Sequence, residues 1–239
     1  MQKKESLMSR IAASGHLEKK AYESIKKMII NGELKPGEQV TQDQLAQKIG
    51  VSRTPLRKAM SDLEREYLLE ITPQGIFVRE FSIDFIISVW EVRAVLEGLA
   101  CRLAATRIDD PNIAYLRTLF QGAYEKFLNG DEEPYRLADI EFHKKLIDVA
   151  ANPMLKRNFD CTHVLDIAFG QGLLRSPKET YPEHMEILDA LQRHDADAAE
   201  KLMLEHCRKT TPYIPERINQ KFQLKKTSSP AGVAFLRLL

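Results

Sequence analysis

The sequence contains no run of about 18 consecutive apolar residues, the length that a membrane-spanning helix needs. Its first residues are polar and lack the apolar stretch of a signal peptide. Cysteine is scarce, and Cys101, Cys161 and Cys207 are widely spaced without a C-x-x-C motif, which argues against a disulfide framework or a zinc knuckle. We therefore expect a cytoplasmic protein with ordinary thiols and no membrane partner.

Net charge is also almost absent, since 35 basic residues accompany 34 acidic residues in a chain of 239. This balance conceals a partition along the chain. Residues 1–81 carry 14 basic and 11 acidic side chains (+3), residues 82–215 carry 16 and 22 (−6), and residues 216–239 carry 5 and 1 (+4). Such asymmetry suggests that different segments have different partners.

The first 81 residues predict three helices followed by a β-hairpin. Apolar spacing predicts a helix over 17–30, a second helix capped by Thr41, and a third that begins after Gly50 with Ser52 as its N-cap. The inward side of the third helix is predicted to hold Leu56, Met60, Leu63 and Tyr67. Alternating apolar residues on both sides of the turn 72–75 predict two short strands. We interpret residues 1–81 as a winged helix-turn-helix DNA-binding domain with an N-terminal extension.

Residues 82–215 show helical periodicity and almost no strand signal. We predict six helices joined by short loops, which implies an antiparallel bundle and a mainly α fold. Pro182 is expected in the first turn of the fifth helix. The apolar stripe of the first bundle helix is predicted to contain Ile86, Val89, Val92, Leu96, Leu99 and Leu103. The sequence of the basic tail, residues 216–239, predicts no particular secondary structure.

The N-terminal end of the third helix carries the first candidate site. In a helix-turn-helix, this end of the second helix of the motif enters the major groove. Arg53 and Arg57 lie four residues apart on one face, and a guanidinium can bind guanine O6 and N7 through two hydrogen bonds. Ser52 and Thr54 can donate to phosphates near the positive end of the helix dipole. A solvated basic face is the alternative for an isolated pair of arginines, but the surrounding helices and wing favour DNA contact.

The same segment resembles the GntR family of bacterial transcription regulators. The resemblance rests on the run Ile49-Gly50-Val51-Ser52-Arg53-Thr54-Pro55-Leu56-Arg57 and on the wing Pro73-Gln74-Gly75. It implies that Arg53, Thr54 and Arg57 contact double-stranded operator DNA, and that Gly75 at the wing tip approaches the minor groove. One position departs from the family pattern: many relatives have a basic residue near the start of the second helix, where this chain has Asp43.

Four side chains of the bundle have the spacing of a metal site. Asp139 and His143 lie at i and i+4 on the third bundle helix, while His184 and His206 lie on the fifth and sixth. If these helices converge, one carboxylate and three imidazoles meet, a ligand set that suits zinc or nickel. Two alternatives remain open from spacing alone: structural histidines in a metal-free regulator, or a metal-dependent hydrolase in which the ion activates water.

These residues are similar to the helical FCD effector domain of the FadR subfamily. The matching segments are Asp139-x-x-Phe142-His143, Glu183-His184, Met203-x-x-His206 and Arg93-x-x-x-Glu97. Six helices are similar to the VanR-like branch. The resemblance implies that Asp139, His143, His184 and His206 bind a divalent metal whose open positions accept a small carboxylate effector. Because arginine suits bidentate recognition of carboxylates, Arg93 and Arg175 are candidate effector ligands.

Both segments together predict a DNA-binding transcription regulator and not an enzyme. We expect a homodimer whose two recognition helices match operator half-sites about one helical turn apart. Binding of the effector would favour a different dimer geometry, and repression relieved by ligand is the commoner mode of such regulation.

Overall fold

The computed structural model describes residues 2–160, 162 and 173–219, with side chains described from residue 15 onward. The chain divides into two compact units, Met1–Phe81 and Ser82–Leu239. Within the described ranges, no helix combines the length and the apolar character needed to cross a membrane. Most of the basic tail, residues 220–239, lies outside the described part of the chain.

The first unit contains three helices and a three-stranded antiparallel sheet. Its elements are α1 (Gln2–Ile30), β1 (Gln39–Val40), α2 (Gln42–Ile49), α3 (Arg53–Arg65), β2 (Leu69–Thr72) and β3 (Gly75–Val78). Strand β3 pairs with both of the others, with Thr72 opposite Gly75 at the hairpin turn. The predicted winged helix-turn-helix is confirmed. Strand β1 was not predicted, and α1 begins well before the predicted start at residue 17.

Local sequence signals mark both ends of α2 and the start of α3. The Thr41 hydroxyl accepts from the Gln44 backbone N–H at 3.2 Å, and the Gln44 side chain accepts from the Thr41 N–H at 3.3 Å, which completes the predicted capping box. Gly50 ends α2 with φ 72°, a left-handed conformation that costs glycine little. Ser52 occupies the N-cap position of α3 as predicted, but its side chain makes no capping hydrogen bond.

The core of the first unit lies between α1, α3 and the sheet. Its buried side chains include Ala21, Ile25, Met28, Leu45, Leu56, Met60, Leu63, Leu69 and Val78. The prediction that Tyr67 points inward is wrong, because Tyr67 is 47% exposed and has φ 61°. Since α3 has already ended at Arg65, the helical spacing no longer applies at this position.

The second unit is all helical within the described residues. Its helices are α4 (Ile83–Ala105), α5 (Asp110–Leu128), α6 (Glu133–Val149), α7 (Pro153–Asp160), α8 (Pro177–Gln192) and α9 (Ala196–Arg208), followed by a 3-10 turn (Thr211–Tyr213) and a helical stretch over 214–219. The predicted helical bundle is confirmed. Pro182 lies inside α8 rather than in its first turn, because Ser176 caps this helix and Pro177 begins it. The predicted continuation of α7 to residue 170 falls outside the described residues.

Small side chains on α4 allow α9 to pack closely against it. Val92 is 57% exposed, whereas Ala94, Gly98 and Cys101 are buried. A Cβ atom on Gly98 would lie 3.4 Å from the carbonyl oxygen of Glu200, which shows how near the two helices are. The predicted stripe is wrong at Val92, whose side chain is mostly exposed, and holds at Ile86, which is fully buried.

Aromatic rings fill the centre of the bundle. Phe120, Tyr135 and Phe142 are fully buried, and the Phe120 ring centroid lies 5.5 Å from that of Tyr135 and 5.4 Å from that of Phe142. Cys101 and Cys207 are free and buried, consistent with ordinary thiols, and Cys161 lies outside the described residues. This core supports the helices that carry the candidate site.

Candidate metal centre and nucleic-acid interface

The fold brings Asp139, His143, His184 and His206 together. One possible ligand atom from each residue lies within 4.8 Å of the corresponding atoms of the other three. The Asp139 carboxylate is 3.3 Å from Nε2 of His184 and 3.8 Å from Nε2 of His143. Helices α6, α8 and α9 therefore converge as the spacing predicted. All three imidazoles are buried, whereas the Asp139 side chain is 26% exposed and forms the open edge of the cluster.

A hydrogen-bond chain determines which nitrogen of His184 is free. The Thr180 hydroxyl lies 3.4 Å from the Ser176 carbonyl oxygen, which can only accept, so Thr180 donates to it. Tyr135 then donates to Thr180 across 2.9 Å and accepts from Nδ1 of His184 across 3.2 Å. This order of donors leaves a lone pair on Nε2, and that buried atom has no hydrogen-bond partner. An unpartnered buried polar atom is costly, and a cation at this position would satisfy it.

Two carboxylates, the buried Glu97 and the partly buried Glu183, orient the other two imidazoles in the same way. Nδ1 of His143 contacts the Glu97 carboxylate, and Nδ1 of His206 lies 2.7 Å from Oε2 of Glu183. An ionised carboxylate only accepts hydrogen bonds, so each imidazole in its neutral form carries its proton on Nδ1 and keeps Nε2 available as a ligand. Carboxylate partners of this kind fix the ring orientation of metal-bound histidines. The donor set therefore fits a divalent ion.

Electrostatics at the cluster follow from these contacts. Burial alone would raise the pKa of Glu97, but Arg93 and His143 outweigh it and lower that pKa to about 2. Burial opposes the charged form of His143, yet Glu97 raises the pKa of that imidazole above its ordinary value. Burial lowers the pKa of His184 well below its ordinary value, and His206 and His143 lower it further. His184 is consequently neutral at physiological pH, the form that can bind a metal.

The two predicted effector arginines lie against the carboxylates that orient the histidines. Arg93 Nε donates to Glu97, and its guanidinium packs 5.0 Å from the Trp90 ring centroid and 5.5 Å from that of Phe159. Arg175 is buried and donates to both oxygens of Glu183 at 2.8 and 2.9 Å. This arrangement favours a positioning role for Arg175, because its bidentate edge is already occupied by Glu183.

Three residues that contact the histidines of the cluster were not among the predicted ligands and effector contacts. Glu97 and Glu183 orient His143 and His206, and Tyr135 orients His184. The sequence contains weak signals for two of them, since Glu97 lies four residues after Arg93 and Glu183 directly precedes His184. Tyr135 carries no such signal, because its contact with His184 spans 49 residues and depends on packing.

We expect Glu183→Gln to weaken metal binding by about tenfold to a hundredfold, the usual effect of removing a carboxylate that orients a ligand. Glu183 accepts from His206 at 2.7 Å, from Arg175 at 2.8 and 2.9 Å and from Lys209 at 3.0 Å, so the neutral amide leaves these donors without a matching charge. Competition with a chromogenic chelator would measure the affinity. The matched control is Glu179→Gln, which alters an exposed partner of the same arginine at 3.4 Å. Equal affinities for the two variants would contradict the assigned role of Glu183.

The residues predicted to contact DNA lie on one surface at the start of α3. Ser52, Arg53, Thr54 and Arg57 are all exposed, whereas Pro55 and Leu56 of the same turn are buried. Arg53 forms an ion pair with Asp43 of α2. Gly75 lies at the hairpin turn with φ 144°, where a Cβ atom would approach Nε2 of Gln39 to 2.4 Å. The arginines at the start of α3 thus face solvent, and Gly75 at the wing tip presents no side chain.

A winged helix-turn-helix unit with exposed arginines, followed by a helical unit with a buried Asp/His cluster, defines a bacterial transcription regulator. Residues 17–78 match the model described as "Bacterial regulatory proteins, gntR family", and residues 88–209 match the model of the FCD domain. The chain belongs to the GntR family of transcription regulators with an FCD domain.

Individual relatives agree with this assignment. The chain is 31% identical over 193 residues to the "Uncharacterized HTH-type transcriptional regulator YdhC" of Bacillus subtilis, covering 77% of this chain and 85% of that protein. It is 28% identical over 193 residues to the "Probable D-xylose utilization operon transcriptional repressor" of Paenarthrobacter nicotinovorans, covering 78% and 82%. The solved structure of "E. coli McbR/YncC" has the same fold, with a TM-score of 0.61, 22% identity and coverage of 86% and 98%.

These relatives are transcription regulators, and the chain is likewise a regulator and not an enzyme. The hydrolase that an Asp/His₃ set could also serve is therefore not supported. Regulators of this family bind operator DNA. The exposed start of α3 is the candidate surface for that contact, and the cluster in the second unit is a separate candidate site.

Proposed function

We propose that this protein is a metal-containing repressor that releases its operator when a small organic acid binds. The observation that carries the proposal is Nε2 of His184, a buried acceptor that has no hydrogen-bond partner and lies 3.3 Å from Asp139. Asp139, His143, His184 and His206 would hold the ion, and their chemistry suits zinc or nickel. A bound divalent ion supplies a concentrated positive charge that attracts a carboxylate.

We propose that an effector reaches the cluster from its exposed edge, at Asp139. Asp139 is the half-buried member of the set, so the three buried imidazoles close the site from the other sides. Arg93, on α4, carries a second positive charge near Asp139 and Glu97. We assign to Arg93 a contact with the effector carboxylate, and to Arg175 the positioning of His206 through Glu183.

For the DNA contact, we assign base recognition to Arg53 and Arg57 and phosphate contacts to Ser52 and Thr54, with Gly75 at the minor groove. The exposure of the four α3 residues supports this assignment. We infer that the protein acts as a cytoplasmic homodimer, since paired half-sites require two recognition helices. The relative from Paenarthrobacter nicotinovorans whose name includes "repressor" supports the mode of regulation. The six helices α4 to α9, which match the six predicted from the sequence, support the VanR-like branch of the FadR subfamily.

Operator binding in the presence of small acids tests this proposal. We expect at least one acid from a panel of mono-, di- and tricarboxylic acids to change the affinity for a promoter fragment by about fivefold or more, the lower range of allosteric coupling. The metal-loaded protein and Asp139→Asn would be compared by quantitative footprinting. The response should disappear in the variant, because the carboxylate that completes the ligand set is gone. Identical affinity of the loaded protein under all conditions would contradict the sensing role.

A further inference from the structure

Asp43 and Arg53 form a two-point ion pair at the candidate DNA surface. Nε of Arg53 donates to Oδ1 of Asp43 at 2.8 Å, and Nη2 donates to Oδ2 at 2.9 Å. The two side chains are 70% and 69% exposed. Exposed ion pairs contribute little to stability, so the fold does not depend on this contact. Its position at the start of α3 points to a different role.

The helices place both partners firmly. Asp43 is the second residue of α2, whose N-terminus is held by the capping box of Thr41 and Gln44. Arg53 is the first residue of α3 and follows the turn at Gly50. A carboxylate in the first turn of α2 is also stabilised by the positive end of the helix dipole. Asp43 is therefore a fixed acceptor for the guanidinium of Arg53.

The pair leaves one edge of the guanidinium free. Arginine has five N–H donors in a rigid planar fork, and Asp43 uses the side edge formed by Nε and Nη2. The end edge keeps the Nη1 donors and the second hydrogen of Nη2. Two parallel donors of this kind match O6 and N7 of guanine. The contact with Asp43 already restricts the rotamers of Arg53. Less side-chain entropy is therefore lost when Arg53 binds DNA.

We propose that Asp43 is a positioning residue for operator recognition: it holds Arg53 in the orientation that reads a guanine. The inference rests on the proposed DNA contact of Arg53. It makes Asp43 a determinant of base preference rather than a lost contact. An unpaired carboxylate near the phosphates would be repelled, and the ion pair removes that penalty.

In vitro selection of operators from a randomised duplex library tests the role of Asp43. With the full-length protein, we expect one position in each half-site to prefer guanine by about tenfold or more. For Asp43→Ala, the guanine preference at that position should fall several-fold, while preferences at the other positions stay unchanged. The ratio between bases is the informative quantity, because removing a negative charge near phosphates can raise total affinity.

Two further variants separate the possible causes. Glu33→Ala removes an exposed ion pair with Lys48 in the same unit and should leave every position unchanged. Arg53→Lys cannot make the two parallel bonds and should lose the same guanine preference as Asp43→Ala. If Arg53→Lys loses it and Asp43→Ala retains it, then Asp43 only masks Arg53 and the positioning role is overturned. If Arg53→Lys also retains it, the proposed DNA contact of Arg53 itself fails.

Discussion

Replacing Arg53 or Arg57 by alanine is expected to remove specific operator binding. A bidentate contact between arginine and guanine contributes about 1–3 kcal/mol of discrimination, and a dimer loses it in both half-sites. The combined loss of about 2–6 kcal/mol corresponds to a weakening of at least roughly thirtyfold. Fluorescence anisotropy at one fixed salt concentration would measure it, since DNA affinity depends steeply on salt.

Because Arg53 and Arg57 are exposed, their loss should leave the fold and the oligomeric state intact, which size-exclusion chromatography would check. Arg65→Ala is the matched control. Arg65 is an exposed arginine at the far end of the same helix, paired with Asp62 at 3.0 Å, and lies away from the end that enters the groove. Operator affinity of Arg53→Ala and Arg57→Ala equal to that of this control would mean that α3 is not the recognition helix.

Replacing His184 by alanine is expected to abolish metal binding. The imidazole supplies the buried Nε2 atom nearest to Asp139, and its loss leaves three ligands and a cavity. Elemental analysis of protein purified without a histidine tag should fall from about one ion per chain to near zero. A ligand that binds only the folded state stabilises it by about 2.7 kcal/mol at a concentration of 100 times Kd. Removing the ion should therefore lower the Tm by roughly 5–10 °C.

Because His184 is fully buried, His184→Ala could lose the metal by misfolding. A second variant distinguishes this from the loss of a ligand. Asp139→Asn changes the partly exposed ligand without creating a cavity and should also lose the ion. His194→Ala is the matched control, because His194 bonds to the Ala105 carbonyl at 2.7 Å and lies outside the cluster. A metal content unaffected in His184→Ala and Asp139→Asn would support the metal-free alternative, in which the imidazoles are structural.

Features that depend on residues close together in the sequence could be predicted from it. The capping box at Thr41, the stop at Gly50 and the hairpin at 72–75 each depend on residues a few positions apart. The i,i+4 spacing of Asp139 and His143 belongs to the same category. The errors at Tyr67 and Val92 arose where helical spacing was extended beyond a helix end or applied to a face that tertiary packing did not bury.

The sequence by itself indicated the class of protein and the four candidate ligands, through its resemblance to known families and, for Asp139 and His143, through local spacing. Only the tertiary structure decided how those side chains are held. The contact of Glu97 with His143 spans 46 residues, and that of Asp43 with Arg53 joins two helices across a turn. Such partners depend on which faces of the helices pack together, and on α4 that choice was made by small residues such as Gly98 that allow α9 to approach closely.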